Sequence, residues 1–191
     1  MNHTSYVRAT AKNRRKIQTA FAELLSERGS INNITVTDLA DRAELTRGTF
    51  YNYYDNISEV AIELQREIES RLFSEYSSLS SIQSIEQYID EVFVFLAQQE
   101  PIYRELIMSI DAKGFLAQLE NEMSHRVLEA MRSDGVDGKN VELELLFLTN
   151  GAIAMVRKYY QGEVDLTLDE IRDFLKAKIH WLFANYGKTL P

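Results

Sequence analysis

Thr46, Arg47, Gly48, Thr49 and Tyr51 lie close together in the chain and bring hydrogen-bonding groups of the kinds that read DNA. The guanidinium of Arg47 has donors that fit the O6 and N7 acceptors of guanine. Gly48 carries no side chain, so its backbone can come close to a base or a phosphate. Thr49 and Tyr51 can donate hydroxyls to phosphate or touch a thymine methyl. Thr35, ahead of them, can hydrogen-bond phosphate from a helix N-terminus. This chemistry is recognition, not bond making.

Such groups work only if short helices hold them. A helix-turn-helix needs a positioning helix, a tight turn and a second helix whose first residues reach base edges. Thr35-x-x-Asp38 has capping-box spacing and opens a helix that runs to about Ala43, with Leu39 and Ala40 facing inward. Glu44 and Leu45 form the turn, and Leu45 can tuck beneath both helices with Leu39 and Phe50. Thr46 caps the second helix, which reaches to about Tyr54. Phe50 and Tyr54 share a face at i, i+4 and read as core, whereas Tyr51 and Tyr53 fall off that face. Taken singly, each tyrosine reads as a core aromatic more readily than as a contact.

The remaining elements follow from apolar periodicity. Ile17, Ala20, Phe21, Leu24 and Leu25 make one stripe in a helix over residues 10–28, stopped by Gly29. Asn56-x-x-Glu59 opens a long fourth helix with Val60, Leu64, Ile68 and Leu72 inward. The run Ser77-Ser78-Leu79-Ser80-Ser81 predicts a linker. A helix from about Ser84, a short one opened by Pro101, and long ones over 115–132, 140–161 and 167–186 complete an all-α chain of about nine helices. The expected organisation is a three-helix DNA-binding domain over 1–56 and a larger helical domain over 57–191.

Two prolines, eight glycines and no cysteine among 191 residues favour long helices and exclude disulfides and thiolate metal sites. The N-terminus has no apolar signal region and no run is long enough to span a bilayer, so a cytoplasmic protein with no membrane association is expected. The net charge of −8 is unevenly spread: residues 1–28 hold six basic and two acidic side chains. Arg8, Lys12, Arg14 and Lys16 could belong to an anion-binding surface or to a solvated tail; charge alone leaves both open.

Residues 10–60 resemble the N-terminal domain of TetR-family transcriptional regulators. That family's pattern runs Thr-Val-x-x-Ile/Leu-Ala, then Ala-Gly-Val-Ser-x-Gly-Thr-Leu/Phe-Tyr-x-His/Tyr-Phe. Here it reads Thr35-Val36-Thr37-Asp38-Leu39-Ala40, then Ala43-Glu44-Leu45-Thr46-Arg47-Gly48-Thr49-Phe50-Tyr51-Asn52-Tyr53-Tyr54. The resemblance implies that Arg47, Gly48 and Thr49 contact bases or the adjacent backbone, and that Thr35, Thr46, Tyr51 and Tyr53 position phosphates. There are two departures. Glu44 stands at the usual turn glycine, where a positive φ would cost about 1 kcal/mol. Ile57 stands at the usual lysine, which removes a phosphate contact. Binding then leans more on Arg8, Lys12, Arg14 and Lys16, with residues 1–9 as an arm along the backbone or into a minor groove.

The resemblance also implies a C-terminal domain that dimerises and binds a small effector. Leu145, Leu148, Ala152, Ile153, Val156 and Tyr160 on one helix, and Ile171, Phe174, Leu175, Lys178, Trp181 and Leu182 on the next, are the candidate interface. These stripes can equally pack within one copy. Tyr88, Phe93, Tyr103, Met108, Phe115, Met123, Phe147, Asn150 and Met155 are candidate pocket residues, although such side chains at helical spacing also build cores. Gly151-Ala152-Ile153 and Lys158-Tyr159-Tyr160-Gln161-Gly162 are similar to a TetR subgroup that includes dihydroxyacetone-utilisation activators.

No P-loop, Gly-x-Ser-x-Gly or paired nucleophile constellation occurs, so catalysis is not expected. His125 and His180 read as alone, without a carboxylate or second histidine at metal spacing, and as solvated or hydrogen-bonded side chains, and no metal or cofactor is expected. The sequence therefore predicts a homodimeric repressor that binds a palindromic double-stranded DNA operator and is released or repositioned by a small-molecule effector. The alternative is a ligand-independent or activator-type regulator under a protein co-regulator.

Overall fold

A computed structural model describes residues 3–73, 79, 81–98 and 101–187; side chains are described for all of these except 3–9, 101 and 110. The described residues form nine α-helices and no strand. They are α1 (His3–Arg28), α2 (Val36–Arg42), α3 (Arg47–Tyr51), α4 (Ile57–Phe73), α5 (Ile82–Ala97), α6 (Pro101–Met108), α7 (Lys113–Ser133), α8 (Lys139–Gln161) and α9 (Leu168–Tyr186).

The helix ends are set by the capping chemistry. Thr35 and Asp38 make a reciprocal capping box at α2, and Thr167 and Glu170 make another at α9. At α4, the Asn56 side chain accepts from Glu59 N–H at 3.2 Å, while Glu59 reaches back to the N–H of Asp55 at 2.8 Å. Gly29 and Gly162 end α1 and α8 at φ of 75° and 69°, a backbone conformation costly for any side chain.

Two expectations need correction. Residues 3–9 continue α1 and are not an extended arm. Helix α5 begins two residues before the expected Ser84, because Ser81 caps it and Ser84 serves as the reciprocal partner. Of the expected serine linker, residues 77, 78 and 80 lie outside the described residues.

The chain packs as two compact units, Met1–Ile68 with Gln99–Lys113, and Glu69–Gln98 with Gly114–Pro191. In the first, the predicted stripe of α1 is buried together with Leu39, Phe50, Tyr54, Val60, Leu64 and Ile68. Helix α6 packs along α1 although its sequence neighbours α5 and α7 belong to the second unit. Phe50 is fully buried, and truncating such a residue to alanine costs about 3–5 kcal/mol.

The second unit has two apolar clusters. One joins Ile85 and Tyr88 of α5, Val127, Ala130 and Met131 of α7, Val141, Leu145 and Leu148 of α8, and Ile179 and Leu182 of α9. The other joins Phe93, Val156, Ile171 and Leu175.

Candidate nucleic-acid interface

Helix α3 is short, and its placement depends on its ends. The Thr46 hydroxyl accepts from the Thr49 N–H at 3.0 Å and shares a 2.9 Å hydrogen bond with the Thr49 hydroxyl. Phe50 anchors the underside, packed 5.8 Å from the Tyr54 ring, and Leu45 is half-buried at the turn. The anchored face turns Arg47 and Gly48 to the outside, and Tyr51 is 49% exposed. Thr49 is half-buried beside its cap.

Gly48 has an ordinary negative φ, and a Cβ built there would meet Thr46 Oγ1 only at 3.8 Å. The protein's own packing therefore does not require glycine at this position. A bare backbone within a helix costs up to about 1 kcal/mol relative to alanine, and packing within the chain does not offset that here.

The other predicted contact residues divide by their partners. Arg47 and Lys12 are exposed and pair with no carboxylate among the described residues. Lys16 pairs with Glu44 at 3.1 Å. The Arg14 guanidinium pairs with Glu63 and lies 5.6 Å over the Tyr54 ring, and its side chain stays 42% exposed. Tyr53 is half-buried and its hydroxyl accepts from Asn13 at 3.1 Å, leaving its hydrogen to donate. The Thr35 hydroxyl donates to Asp38 at 2.5 Å within its own cap. The Arg8 side chain lies outside the described residues.

Electrostatics stiffen this unit. Arg28 donates to Asp38 at 2.6 Å and, with the Thr35 hydroxyl and N–H, holds the Asp38 carboxyl well below the usual carboxylate range. Arg42 bridges Glu23 and Glu27, and its hydrogen bonds lower the Glu27 pKa. Burial, with the Glu63 carboxylate alongside, pushes the Tyr54 hydroxyl above the usual phenol range, so it acts as a donor. Glu44 has a φ of 55°, the one positive φ outside glycine among the described residues. The sequence reading of that turn holds, and Lys16 answers the carboxylate placed there.

In the second unit several predicted interface residues are instead protomer core. Leu145, Leu148, Val156, Ile171, Leu175 and Leu182 are all at most 9% exposed. A stripe already covered inside one copy has little left to offer a second. Ala152, Ile153 and Tyr160 are half-buried, and the Tyr160 hydroxyl donates to Leu96 O at 2.8 Å. Phe174, Lys178 and Trp181 are exposed, and so are Leu143, Leu146 and Phe147 on α8, of which the sequence reading named only Phe147, and for another role. The run Leu145-Leu146-Phe147-Leu148 is apolar all round the helix, and that was the available signal for a second buried face.

The predicted pocket residues fall in both units. Tyr103 and Met108 lie on α6 in the first unit, where the Tyr103 hydroxyl donates to Glu67 at 2.7 Å. Phe147 is 75% exposed and Asn150 is turned to the surface of α8, because Val141, Leu145 and Leu148 take the inward face. Tyr88, Phe93 and Phe115 are buried in the second unit, with Met123 and Met155 packed against its clusters. His125 and His180 are exposed, yet each meets a carboxylate, Glu129 at 3.4 Å and Glu86 at 2.8 Å, which corrects the expectation that they stand alone. Among the described residues no group of side chains could hold a metal ion, and no helix is long and apolar enough to cross a membrane.

Fold and site together define an all-helical protein with a capped helix-turn-helix in a small N-terminal unit. No family model matches the chain. It is 28% identical over 166 residues to the HTH-type transcriptional repressor KstR2 of Rhodococcus jostii (strain RHA1), covering 78% of this chain and 80% of that protein. Among solved structures it superposes on a TetR transcriptional regulator from Streptococcus agalactiae 2603V with a TM-score of 0.67 at 21% identity, over 93% of this chain and 99% of that one. The dihydroxyacetone kinase operon activator DhaS also superposes, with a TM-score of 0.58 at 18% identity, over 91% of this chain and 96% of that one. The chain has the fold of the TetR-family regulators.

Proposed function

We propose that this chain is a cytoplasmic, homodimeric transcriptional repressor that binds a palindromic operator and acts by regulation, not catalysis. One observation carries the reading: the capped helix α3 rests on a buried Phe50 and presents Arg47, Gly48 and Tyr51 outward, with a glycine that its own packing does not need. The similarity to a helix-turn-helix repressor over most of both chains supports it. The first unit serves DNA binding, with Lys12 adding a phosphate contact, and the second serves dimerisation and effector response.

The exposed apolar side chains Leu143, Leu146 and Phe147 of α8 and Phe174 and Trp181 of α9 supply the dimer surface. Two copies joined there form a four-helix contact. Dimerisation places two recognition helices about 34–36 Å apart to meet successive major grooves. An effector that favours another arrangement weakens binding by no more than its differential affinity for the two states.

Selection from random duplex DNA tests the reading. An enriched inverted repeat, bound by a species that sediments as a dimer, is the expected outcome. Enrichment of no repeat overturns it.

A further inference from the structure

Helix α4 carries two carboxylates one turn apart, and each joins α1 to a tyrosine on another segment. Glu63 accepts hydrogen bonds from the Arg14 guanidinium and from the hydroxyl of Tyr54, just beyond the recognition helix. Glu67 accepts from Gln18 Nε2 at 3.1 Å and from the Tyr103 hydroxyl of α6 at 2.7 Å. Arg14 and Gln18 are themselves one turn apart on α1, so the two rungs advance in step along helices that run in the same direction.

The two donors of the second rung are buried, while Glu67 itself is half-buried. Gln18 is 4% exposed and Tyr103 is 1% exposed. The Gln18 amide is oriented from the other side, because Arg15 donates to its oxygen at 3.2 Å and turns its NH₂ toward Glu67. A hydrogen bond in such surroundings is costly to leave unmade.

Apolar contacts alone would hold these helices together but would tolerate sliding and rotation. A carboxylate accepts from two directions at once, so a single side chain fixes three segments in one orientation. Tyr103 differs from the other three donors in its element. Helix α6 reaches the first unit from α5 and leaves it to α7, both of the second unit.

We propose that Glu63 and Glu67 are positioning residues for DNA recognition. The Glu63 rung fixes the end of the recognition helix against α1, and the Glu67 rung makes that arrangement depend on α6 being docked. The proposal rests on the DNA-binding reading above and adds the residues that aim the site.

Tyr103→Phe and Glu67→Gln are compared with the unaltered protein on the selected repeat and on a scrambled duplex of equal length, where circular dichroism reports full helix content. Affinity for the repeat is expected to fall about five- to tenfold, a part of what one lost charged hydrogen bond is worth. Affinity for the scrambled duplex and the salt slope should stay unchanged, because phosphate contacts persist while alignment with base edges is lost. A loss of folded protein would lower both affinities alike. An unchanged ratio of repeat to scrambled binding in folded Tyr103→Phe overturns the proposal. That variant removes one oxygen and leaves the ring packed, so it decides the matter alone if Glu67→Gln does not fold. Failure of the unaltered protein to select any repeat overturns the DNA-binding reading first, and the proposal with it.

Discussion

Lys16 Nζ lies 3.1 Å from a Glu44 carboxylate oxygen and ties α1 to the turn of the helix-turn-helix. The pair is surface-exposed and contributes at most about 1 kcal/mol. It leaves Glu44 in a left-handed conformation and ties up a cation offered to phosphate. Glu44→Gly relieves the backbone strain and frees Lys16. Its expected effect is a gain of up to about 1 kcal/mol in urea unfolding, the strain relieved less the ion pair lost, with tighter operator binding. A less stable variant would show that this turn does not hold the strain assigned to it.

Gly48→Ala separates folding from recognition. The added methyl has room, so the variant should unfold at higher urea by up to about 1 kcal/mol. Operator affinity should fall at the same time, because the methyl stands between backbone and DNA. Unchanged affinity by fluorescence anisotropy would remove Gly48 from the interface.

Arg47 and Lys12 should differ in kind. Arg47→Ala is expected to cost about 1–3 kcal/mol on the operator and to relax one base position in a repeated selection. Lys12→Ala should weaken all sequences equally and lower the salt slope by about 1. Loss of sequence preference in the lysine variant would invert these assignments.

Acid sensitivity should trace partly to Asp38. Its folded pKa is depressed, chiefly by Arg28 and then by Thr35. Its stabilising effect is therefore complete above the unfolded value of about 3.9 and fades as pH falls through the lower folded value. Asp38→Asn should be less stable than the parent at pH 7, with the gap closing in strong acid. Urea midpoints measured across that range check this, and a constant gap would contradict the linkage.

Phe147→Asp and Leu145→Asp should part company although they are two residues apart on α8. Phe147 is 75% exposed and Leu145 is 2% exposed. The first should give a folded monomer by sedimentation, and the second should lose the fold. A Phe147→Asp protein that stays dimeric would move the interface elsewhere.

The sequence by itself determined the helices and the capped turn before α3. Capping at Thr35, Thr46, Asn56 and Thr167, the glycine stops and the α1 stripe are local or one-periodic signals, set by backbone hydrogen bonding and the helix repeat. The Thr46-to-Tyr51 segment was legible for the same reason, since its donors and its anchor lie within two turns.

Only the tertiary structure decided which apolar residues of α8 and α9 face inward, because the run Leu145-Leu146-Phe147-Leu148 and the extra Phe174 and Trp181 offer more apolar surface than one face can bury. It also decided that Arg14 is paired with Glu63 while Arg47 meets no carboxylate among the described residues, since a cation's partner is a long-range fact. Gln18, Glu63 and Glu67 passed unremarked in the sequence for the same reason. Each is an ordinary polar residue until folding brings a distant donor within hydrogen-bonding distance, and that proximity is what makes them hold the site.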